Sequence, residues 1–234
     1  MKEMLLSAAR ECGISIDDDM AVRMETYWNY LKQVNESMNL TRVSSDEEAV
    51  NRHFIDSLIP LKLNLIPSGA QVLDLGSGAG FPGLPLAIAR TDIRMVLMDS
   101  LTKRVNFLTD AAQRAGASAT VTAIHARAEE AARGDMREAF DIVTARAVAR
   151  MNVLCELALP FIRVGGALIA YKGAAAQEEL DEARTAIRRL GGGNATLLPA
   201  GIPGRDEYII VVKKLSPTPK SFPRKPGEAT RKPL

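Results

Sequence analysis

The sequence predicts an α/β fold, with a mostly parallel, seven-stranded sheet, helices on both of its faces and a helical extension before it. The first observation is that from residue 70 onward short apolar runs, typical of buried strands, alternate with longer runs of helical periodicity. This alternation is typical of parallel strands joined by crossover helices. The second observation is that the last two strand-like runs, 195–200 and 207–214, follow each other without a helix. We therefore expect an antiparallel pair at one end of the sheet.

The chain divides into three segments by its pattern: an N-terminal helical extension (1–66), a main domain (67–214) and a basic, proline-rich C-terminal tail (215–234). The tail contains five prolines, which predict that it forms no regular element. Its charge is also unusual, because residues 213–234 contain seven basic residues and one acid while the net charge of the whole chain is +2. Such a segment is either a solubilising end or a contact for a polyanion such as nucleic acid.

The N-terminal extension shows the start signals and the periodicity of helices. The aspartates at 17–19 can cap a helix that runs to about residue 33, with apolar residues at three- and four-residue steps. Ser45 and Glu48 form an S-x-x-E capping box, which predicts a third helix. We expect Pro60 to mark the end of that helix.

The elements of the main domain follow from apolar runs and from glycines that end helices. Strands are predicted at 71–75, 94–99, 119–126, 140–146 and 167–173, before the final pair. Helices are predicted at 82–90, 102–116, 151–166 and 178–193.

Composition excludes several classes of protein. Apolar residues make up 47 % of the chain and charged residues 25 %, which suits a globular protein with a sizeable core. The two cysteines are far apart and form no C-x-x-C pattern, so we expect neither a disulfide framework nor a zinc site. No apolar run approaches the roughly 18 residues that span a bilayer. We therefore expect a cytoplasmic protein that uses no metal and contacts no membrane.

A glycine-rich stretch, LDLGSGAGFPG at 73–83, follows the first predicted strand and precedes a helix. No lysine follows it, so it is not a P-loop. Gly78, Gly80 and Gly83 match the dinucleotide fingerprint G-x-G-x-x-G, yet Gly76 already stands at the end of the strand and Pro82 interrupts the pattern. The alternative begins with an acid, as D-x-G-x-G-x-G from Asp74. This pattern resembles the first motif of the class I methyltransferases, which bind S-adenosylmethionine.

The chemistry of S-adenosylmethionine agrees with the residues around this loop. The molecule has no phosphate but has a sulfonium, an ammonium and a carboxylate, and an acid such as Asp74 at the strand end suits the cationic part. Asp99 ends the second predicted strand, where a carboxylate can accept hydrogen bonds from ribose hydroxyls. Ala128 and Glu129 follow the third strand, where such enzymes cover the adenine.

No residue of the sequence stands out as a general base or a nucleophile. We expect His53 and His125 to be structural, and neither Cys12 nor Cys155 lies at the end of a strand. Arg146 lies at the end of the fourth predicted strand. A site without a base suits an acceptor that is already nucleophilic, such as guanine N7. Alignment of the acceptor with the methyl donor could then supply most of the rate. The residues by themselves reach no further than a methyltransferase without an evident base.

Several stretches occur together in a recognisable order: NLT (39–41), RHFIDS (52–57), DLGSGAGFPG (74–83), DSLTKRVNFL (99–108), ARAVA (145–149), YKG (171–173) and the tail. They resemble the glucose-inhibited division protein B (RsmG) family, bacterial methyltransferases for guanine N7 of 16S ribosomal RNA. The resemblance implies a class I (Rossmann-like) S-adenosylmethionine-dependent methyltransferase fold. It also implies 16S ribosomal RNA or the small ribosomal subunit as partner, and we expect a monomer.

The resemblance and the glycine motif together assign candidate residues. Those for the cofactor are Asp74, Gly76, Gly78, Phe81, Asp99, Ser100, Ala128, Glu129 and Arg146, of which Arg146 is also the possible catalytic residue. Those for RNA are Lys103, Arg104, Lys172 and Arg205. One departure concerns the last strand, where Glu207 stands in the register of a family arginine, so that Arg205 either replaces that arginine or the contact is absent.

Two other functions remain open on the sequence. The dinucleotide fingerprint would suit an NAD(P)-dependent oxidoreductase, and the basic tail would suit a non-catalytic RNA-binding protein on a nucleotide-binding fold.

Overall fold

A computed structural model describes all 234 residues of the chain. Seven strands form one sheet in the order β3-β2-β1-β4-β5-β7-β6. Their bounds are β1 Gln71–Leu75, β2 Arg94–Asp99, β3 Val121–His125, β4 Phe140–Arg146, β5 Ile162–Lys172, β6 Gly192–Pro199 and β7 Tyr208–Lys214. The prediction of a seven-stranded α/β fold is confirmed.

The pairing of the strands is mostly parallel. β1 pairs with β4, β2 with β3 and β4 with β5 in parallel, while β7 lies antiparallel to both β5 and β6. In the β1–β4 pair Asp74 stands opposite Thr144, and in the β2–β3 pair Asp99 stands opposite His125. The predicted antiparallel pair at one end of the sheet is therefore confirmed.

Ten α-helices accompany the strands. They are α1 Lys2–Glu11, α2 Asp18–Met38, α3 Asp46–Ala49, α4 Asp56–Lys62, α5 Gly83–Ala89, α6 Thr102–Arg114, α7 Ala128–Ala131, α8 Met151–Ala158, α9 Ala176–Arg189 and α10 Glu228–Arg231. The predicted caps form, because the Asp17 carboxylate accepts a hydrogen bond from the Met20 N–H and the Ser45 hydroxyl accepts one from the Glu48 N–H.

Three expectations about local structure are wrong. The predicted helix 151–166 ends with α8, and Ile162 already begins β5, because a short buried apolar run has no periodicity that separates strand from helix. Pro60 lies inside α4 rather than at its exit, and a π-helical turn, Val50–Ile55, precedes that helix. The tail contains a regular element after all, the single turn of α10.

The chain forms two compact units. The first contains residues 1–69 and 77–125, and the second contains residues 70–76 and 126–234. The glycine-rich stretch is divided between them, since Gly76 belongs to the second unit and Ser77 to the first.

In the first unit, α2 provides much of the core. Tyr27 and Leu31, two residues of the predicted apolar stripe, are fully buried, and so is Trp28. Arg23 of the same helix donates hydrogen bonds to the carbonyls of Ala115 and Gly116, just beyond the end of α6.

In the second unit, the C-terminal tail packs back onto the domain. The Arg137 guanidinium donates to the carbonyls of Thr218, Pro219 and Phe222. Arg224 forms a bidentate ion pair with Glu156, whose side chain is 1 % exposed. The tail is therefore attached to the unit by arginines and backbone carbonyls.

None of the helices is both long enough and apolar enough to cross a membrane.

Candidate functional site

In the first unit, the glycine-rich loop is attached to the end of β2. The Ser77 N–H donates to the Met98 carbonyl at 2.9 Å, and the Gly78 N–H donates to the Asp99 carboxylate at 2.9 Å. Gly78 and Gly80 both have positive φ, of 56° and 103°, a conformation that favours glycine. The loop therefore follows a backbone path that few other sequences would allow.

Asp99, the candidate ribose-binding acid, is nearly buried, at 4 % exposure. Besides the Gly78 N–H, its carboxylate accepts a hydrogen bond from the Leu101 N–H at 2.9 Å, and Arg104 lies 3.4 Å away. An ionised carboxylate has about four acceptor sites, so these three contacts orient it and leave capacity for about one hydroxyl donor. The exposed Ser100 follows directly, and its carbonyl lies 3.0 Å from His125 Nε2.

Phe81, at the end of the glycine-rich loop, lies in an aromatic cluster. The His53 ring stacks on it with centroids 4.4 Å apart, and the rings of Tyr27 and Phe54 lie 5.2 and 5.4 Å away. His53 Nε2 in turn lies 2.9 Å from the Thr41 hydroxyl. The stretches NLT and RHFIDS thus meet in the structure and support a candidate cofactor residue.

In the second unit, Asp74 and Gly76 lie at the end of β1. Asp74 is 1 % exposed, and its carboxylate accepts a hydrogen bond of 2.8 Å from the buried Thr144 hydroxyl on β4. A Cβ at Gly76, where φ is 70°, would come within 2.9 Å of the Val148 side chain. The end of this strand therefore has a fixed acid and a glycine that the surrounding chain requires.

The candidate adenine-side residues, Ala128 and Glu129, open α7 and are partly exposed. The Glu129 carboxylate accepts a hydrogen bond of 3.1 Å from the Gly227 N–H of the tail. The tail therefore contacts one of the residues predicted for the cofactor.

Arg146 ends β4 and is followed by Ala147, a residue other than glycine with a positive φ of 57°. Lys172 holds the next residues, because its ammonium donates to the Ala149 carbonyl at 2.7 Å and to Glu179 at 2.6 Å. The same Glu179 carboxylate accepts from the Met151 N–H at 2.9 Å. This arrangement fixes the loop after Arg146.

The four candidate RNA residues have different surroundings. Lys103 is exposed on the first turn of α6, and Arg104 beside it approaches Asp99. The Lys172 side chain is 10 % exposed and pairs with Glu179. Arg205 pairs with Glu207, the residue that stands in the register of the family arginine. Lys103 is thus the most accessible of the four, and each of the other three has a carboxylate partner.

The side chains that could serve as a base or a nucleophile are occupied or buried. His53 and His125 have the contacts described above. Cys12 is buried, and complete burial raises the pKa of the Cys155 thiol to about 12.

Sequence reasoning missed three polar residues of these regions: Tyr27, whose hydroxyl donates to the Ala79 carbonyl of the glycine-rich loop, Thr144 and Glu179. Thr144 could have been suspected, because a polar residue inside an otherwise apolar strand requires a partner. In the sequence, Tyr27 is one of several apolar residues of the stripe on α2, and Glu179 is one of several carboxylates on a predicted helix.

The chain is similar to known proteins over most of its length. The family model described as rRNA small subunit methyltransferase G (GidB) matches residues 20–200. The ribosomal RNA small subunit methyltransferase G of Clostridium perfringens (strain 13) is 42 % identical, over 99 % of this chain and 98 % of its own. The protein of the same name from Lactobacillus delbrueckii subsp. bulgaricus is 44 % identical over 91 % of this chain and 90 % of its own.

Among solved structures, an O-methyltransferase from Bacillus cereus in complex with SAH superposes with a TM-score of 0.55. The match covers 92 % of this chain and all of that one, at 19 % identity, and shows a shared fold. The fold is therefore that of the class I, S-adenosylmethionine-dependent methyltransferases. The chain belongs to the rRNA small subunit methyltransferase G family. The predictions of family and enzyme class are confirmed, and the oxidoreductase and the non-catalytic RNA-binding protein are set aside.

Proposed function

We propose that this protein transfers the methyl group of S-adenosylmethionine to N7 of a guanine in the 16S ribosomal RNA of the small subunit. The observation that carries the proposal is the hydrogen bond from the Gly78 N–H to Asp99, since it joins the glycine-rich loop to the acid suited to ribose. Membership of the rRNA small subunit methyltransferase G family supports the RNA substrate.

In the first unit, the glycine-rich loop and Asp99 fit the cofactor. A Cβ at Gly80 would collide with the Tyr27 hydroxyl, and in the second unit a Cβ at Gly76 would collide with Val148, so the packing of the chain requires glycine at both positions. Asp99 is held by backbone N–H groups and by Arg104, and it retains acceptor capacity for about one ribose hydroxyl. The residues we propose to bind the cofactor are those assigned from the sequence: Asp74, Gly76, Gly78, Phe81, Asp99, Ser100, Ala128, Glu129 and Arg146.

The reaction requires alignment and no proton acceptor. When bound, the cofactor supplies a methyl carbon to the N7 lone pair while the carbon–sulfur electron pair passes to sulfur, leaving a 7-methylguanine cation and S-adenosylhomocysteine. The protein's part is then to hold the acceptor in line, which can provide a large share of the rate. Arg146 is the proposed orienting residue, because a guanidinium suits guanine O6 or a phosphate. The occupied histidines are consistent with a site that has no base.

Lys103, Arg104, Lys172 and Arg205 remain the proposed RNA contacts. Lys103 is the foremost of them, since its exposed ammonium is the most accessible to a phosphate. A cytoplasmic monomer acting on the RNA or on the small subunit stays a prediction.

The proposal is tested with labelled cofactor and small subunits from a strain that lacks the enzyme. We expect label in 7-methylguanosine after digestion to nucleosides, and label in any other nucleoside, or in none, would refute the N7 assignment. Asp99→Asn should raise the dissociation constant of S-adenosylmethionine at least tenfold, because one carboxylate acceptor is lost. The matched control is Asp135→Asn, a change of the same kind at an exposed position.

A further inference from the structure

Tyr27 of the N-terminal extension supports the glycine-rich loop through its side chain. Tyr27 of α2 is fully buried, and its hydroxyl donates a hydrogen bond to the carbonyl of Ala79. Its ring lies against Phe54 and Phe81, with centroids 6.0 and 5.2 Å away. The residue therefore touches the loop twice, through a polar and an apolar contact.

The contact falls where the loop backbone has the greatest freedom. Ala79 stands between Gly78 and Gly80, both of which have positive φ and neither of which has a side chain to limit rotation. A Cβ at Gly80 would lie 2.8 Å from the Tyr27 hydroxyl oxygen and 3.2 Å from Leu108. The loop and the tyrosine are thus fitted to each other at this point.

The other hydrogen bonds of the loop use other groups, so the Ala79 carbonyl accepts from the Tyr27 hydroxyl. Ser77 and Gly78 are held through their N–H groups by Met98 and Asp99, and the Gly80 N–H donates to the Ser77 carbonyl at 2.7 Å. These bonds fix the beginning of the loop, whereas the Tyr27 hydroxyl fixes the orientation of the peptide after Ala79. Both polar groups of that peptide are therefore held, the carbonyl by Tyr27 and the N–H by Ser77, and together they set the path of the backbone between Gly78 and Gly80.

We propose that Tyr27 is a positioning residue for the cofactor, and that the N-terminal extension is part of the cofactor-binding apparatus rather than only a cover for the sheet. The inference rests on the proposed function. Arg23, one turn earlier, secures the same helix to the chain beyond α6, so the hydroxyl is presented from a fixed helix. Preorganisation of this kind lowers the free energy needed to order the loop when the ligand binds.

The test is Tyr27→Phe, which keeps the ring and removes the donor, with Tyr30→Phe as the matched control. Tyr30 lies on the same helix, is partly exposed, and its hydroxyl lies 3.2 Å from Asp110. By calorimetry, Y27F should bind S-adenosylmethionine about tenfold more weakly, because a buried acceptor is left without its donor. Y30F should bind it within about twofold of the wild-type protein.

Steady-state kinetics separate positioning from a loss of folded protein. A positioning role raises the KM for S-adenosylmethionine and leaves the KM for RNA unchanged, whereas a smaller folded fraction lowers only the apparent kcat. Y27F with unchanged cofactor affinity, or Y27F and Y30F weakened equally, would overturn the inference. A wild-type protein that binds no S-adenosylmethionine would overturn the proposed function itself, and with it the cofactor role of Tyr27.

Discussion

The N-terminal extension is attached mainly by apolar side chains, whereas the C-terminal tail is attached mainly by arginines. On α2, Tyr27, Trp28 and Leu31 are fully buried. At the tail, Arg137 of the main domain donates to three of the tail's backbone carbonyls, and Arg224 of the tail pairs with the buried Glu156. Apolar burial stabilises in proportion to area and needs no particular partner, while a buried ion pair stabilises only if both members are present and aligned.

This difference predicts how each end responds to substitution. In the extension, the loss in free energy of unfolding should scale with the apolar volume removed. In the tail, it should depend on which member of a pair remains without its partner. The four predictions below test this contrast, beginning with the largest expected effect.

Trp28→Ala should lower the free energy of unfolding by about 3–5 kcal/mol, because a fully buried indole is lost from the core. The indole N–H also donates to Asp46 at 2.7 Å, and that acceptor loses its donor. Urea unfolding monitored by circular dichroism measures the change. Val22→Ala on the same helix, at a side chain that is 45 % exposed, should cost about 0.5 kcal/mol or less. Equal losses in the two variants would contradict the apolar attachment.

Arg224→Met should lower the free energy of unfolding by about 2–4 kcal/mol, since the Glu156 carboxylate stays buried without its partner. The double variant Arg224→Met, Glu156→Met should lose less than the single one, because no uncompensated charge remains. Lys225→Met, at the exposed neighbouring position, is the control. The ion-pair attachment is refuted if the double variant is as unstable as the sum of the two single variants.

Lys214, the last residue of β7, binds Thr218 of the tail and makes the attachment sensitive to pH. Burial lowers the pKa of its ammonium from the ordinary value to about 8, although Glu138 acts in the opposite direction. Between pH 8 and 10 the unfolded chain then binds more protons than the folded one, so this residue makes the free energy of unfolding rise with pH, and below pH 8 it adds no slope. The rise should be on the order of 3 kcal/mol.

Urea unfolding at several pH values measures this slope. Lys214→Met should abolish the rise, whereas Lys213→Met, at the adjacent exposed residue, should retain it. A wild-type profile parallel to that of Lys214→Met would show that Lys214 is not desolvated in solution.

The smallest effect concerns the charges that the tail does not use for its own attachment. Four exposed basic residues remain there: Lys220, Lys225, Arg231 and Lys232. Changing all four to Gln should weaken RNA binding about threefold to tenfold at low salt and flatten its salt dependence, with cofactor affinity unchanged. A variant in which the three lysines become arginines keeps the charge and should bind as the wild type does. If the salt dependence of RNA binding were the same in the Gln variant as in the wild type, the tail would have a structural role only.

Most of the fold could be predicted from the sequence because it depends on local patterns. The apolar runs of β1, β2 and β4 and the caps at Asp17 and Ser45 lie within a few residues of the elements they define. The error at Ile162 occurred where the pattern is ambiguous, since the apolar run that continues α8 suits helix and strand equally.

The candidate site was predictable only in part. The glycines, Asp74 and Asp99 were assigned from spacing; in the structure the two acids lie at the ends of β1 and β2, and the glycines follow β1. Lys172 and Arg205 were predicted from resemblance as RNA contacts, and the structure adds their carboxylate partners, Glu179 and Glu207. No periodicity indicates which of many surface charges will pair.

The sequence by itself determined the order of the elements, the glycine-rich loop with its two acids and the family to which the chain belongs. Only the tertiary structure decided what holds these parts in place. Tyr27 reaches Ala79 across 52 residues of chain, and Arg224 reaches Glu156 across 68. Hydrogen bonds and ion pairs of this kind depend on distances of about 3 Å between atoms that only folding brings together, whereas periodicity and spacing are properties of neighbouring residues.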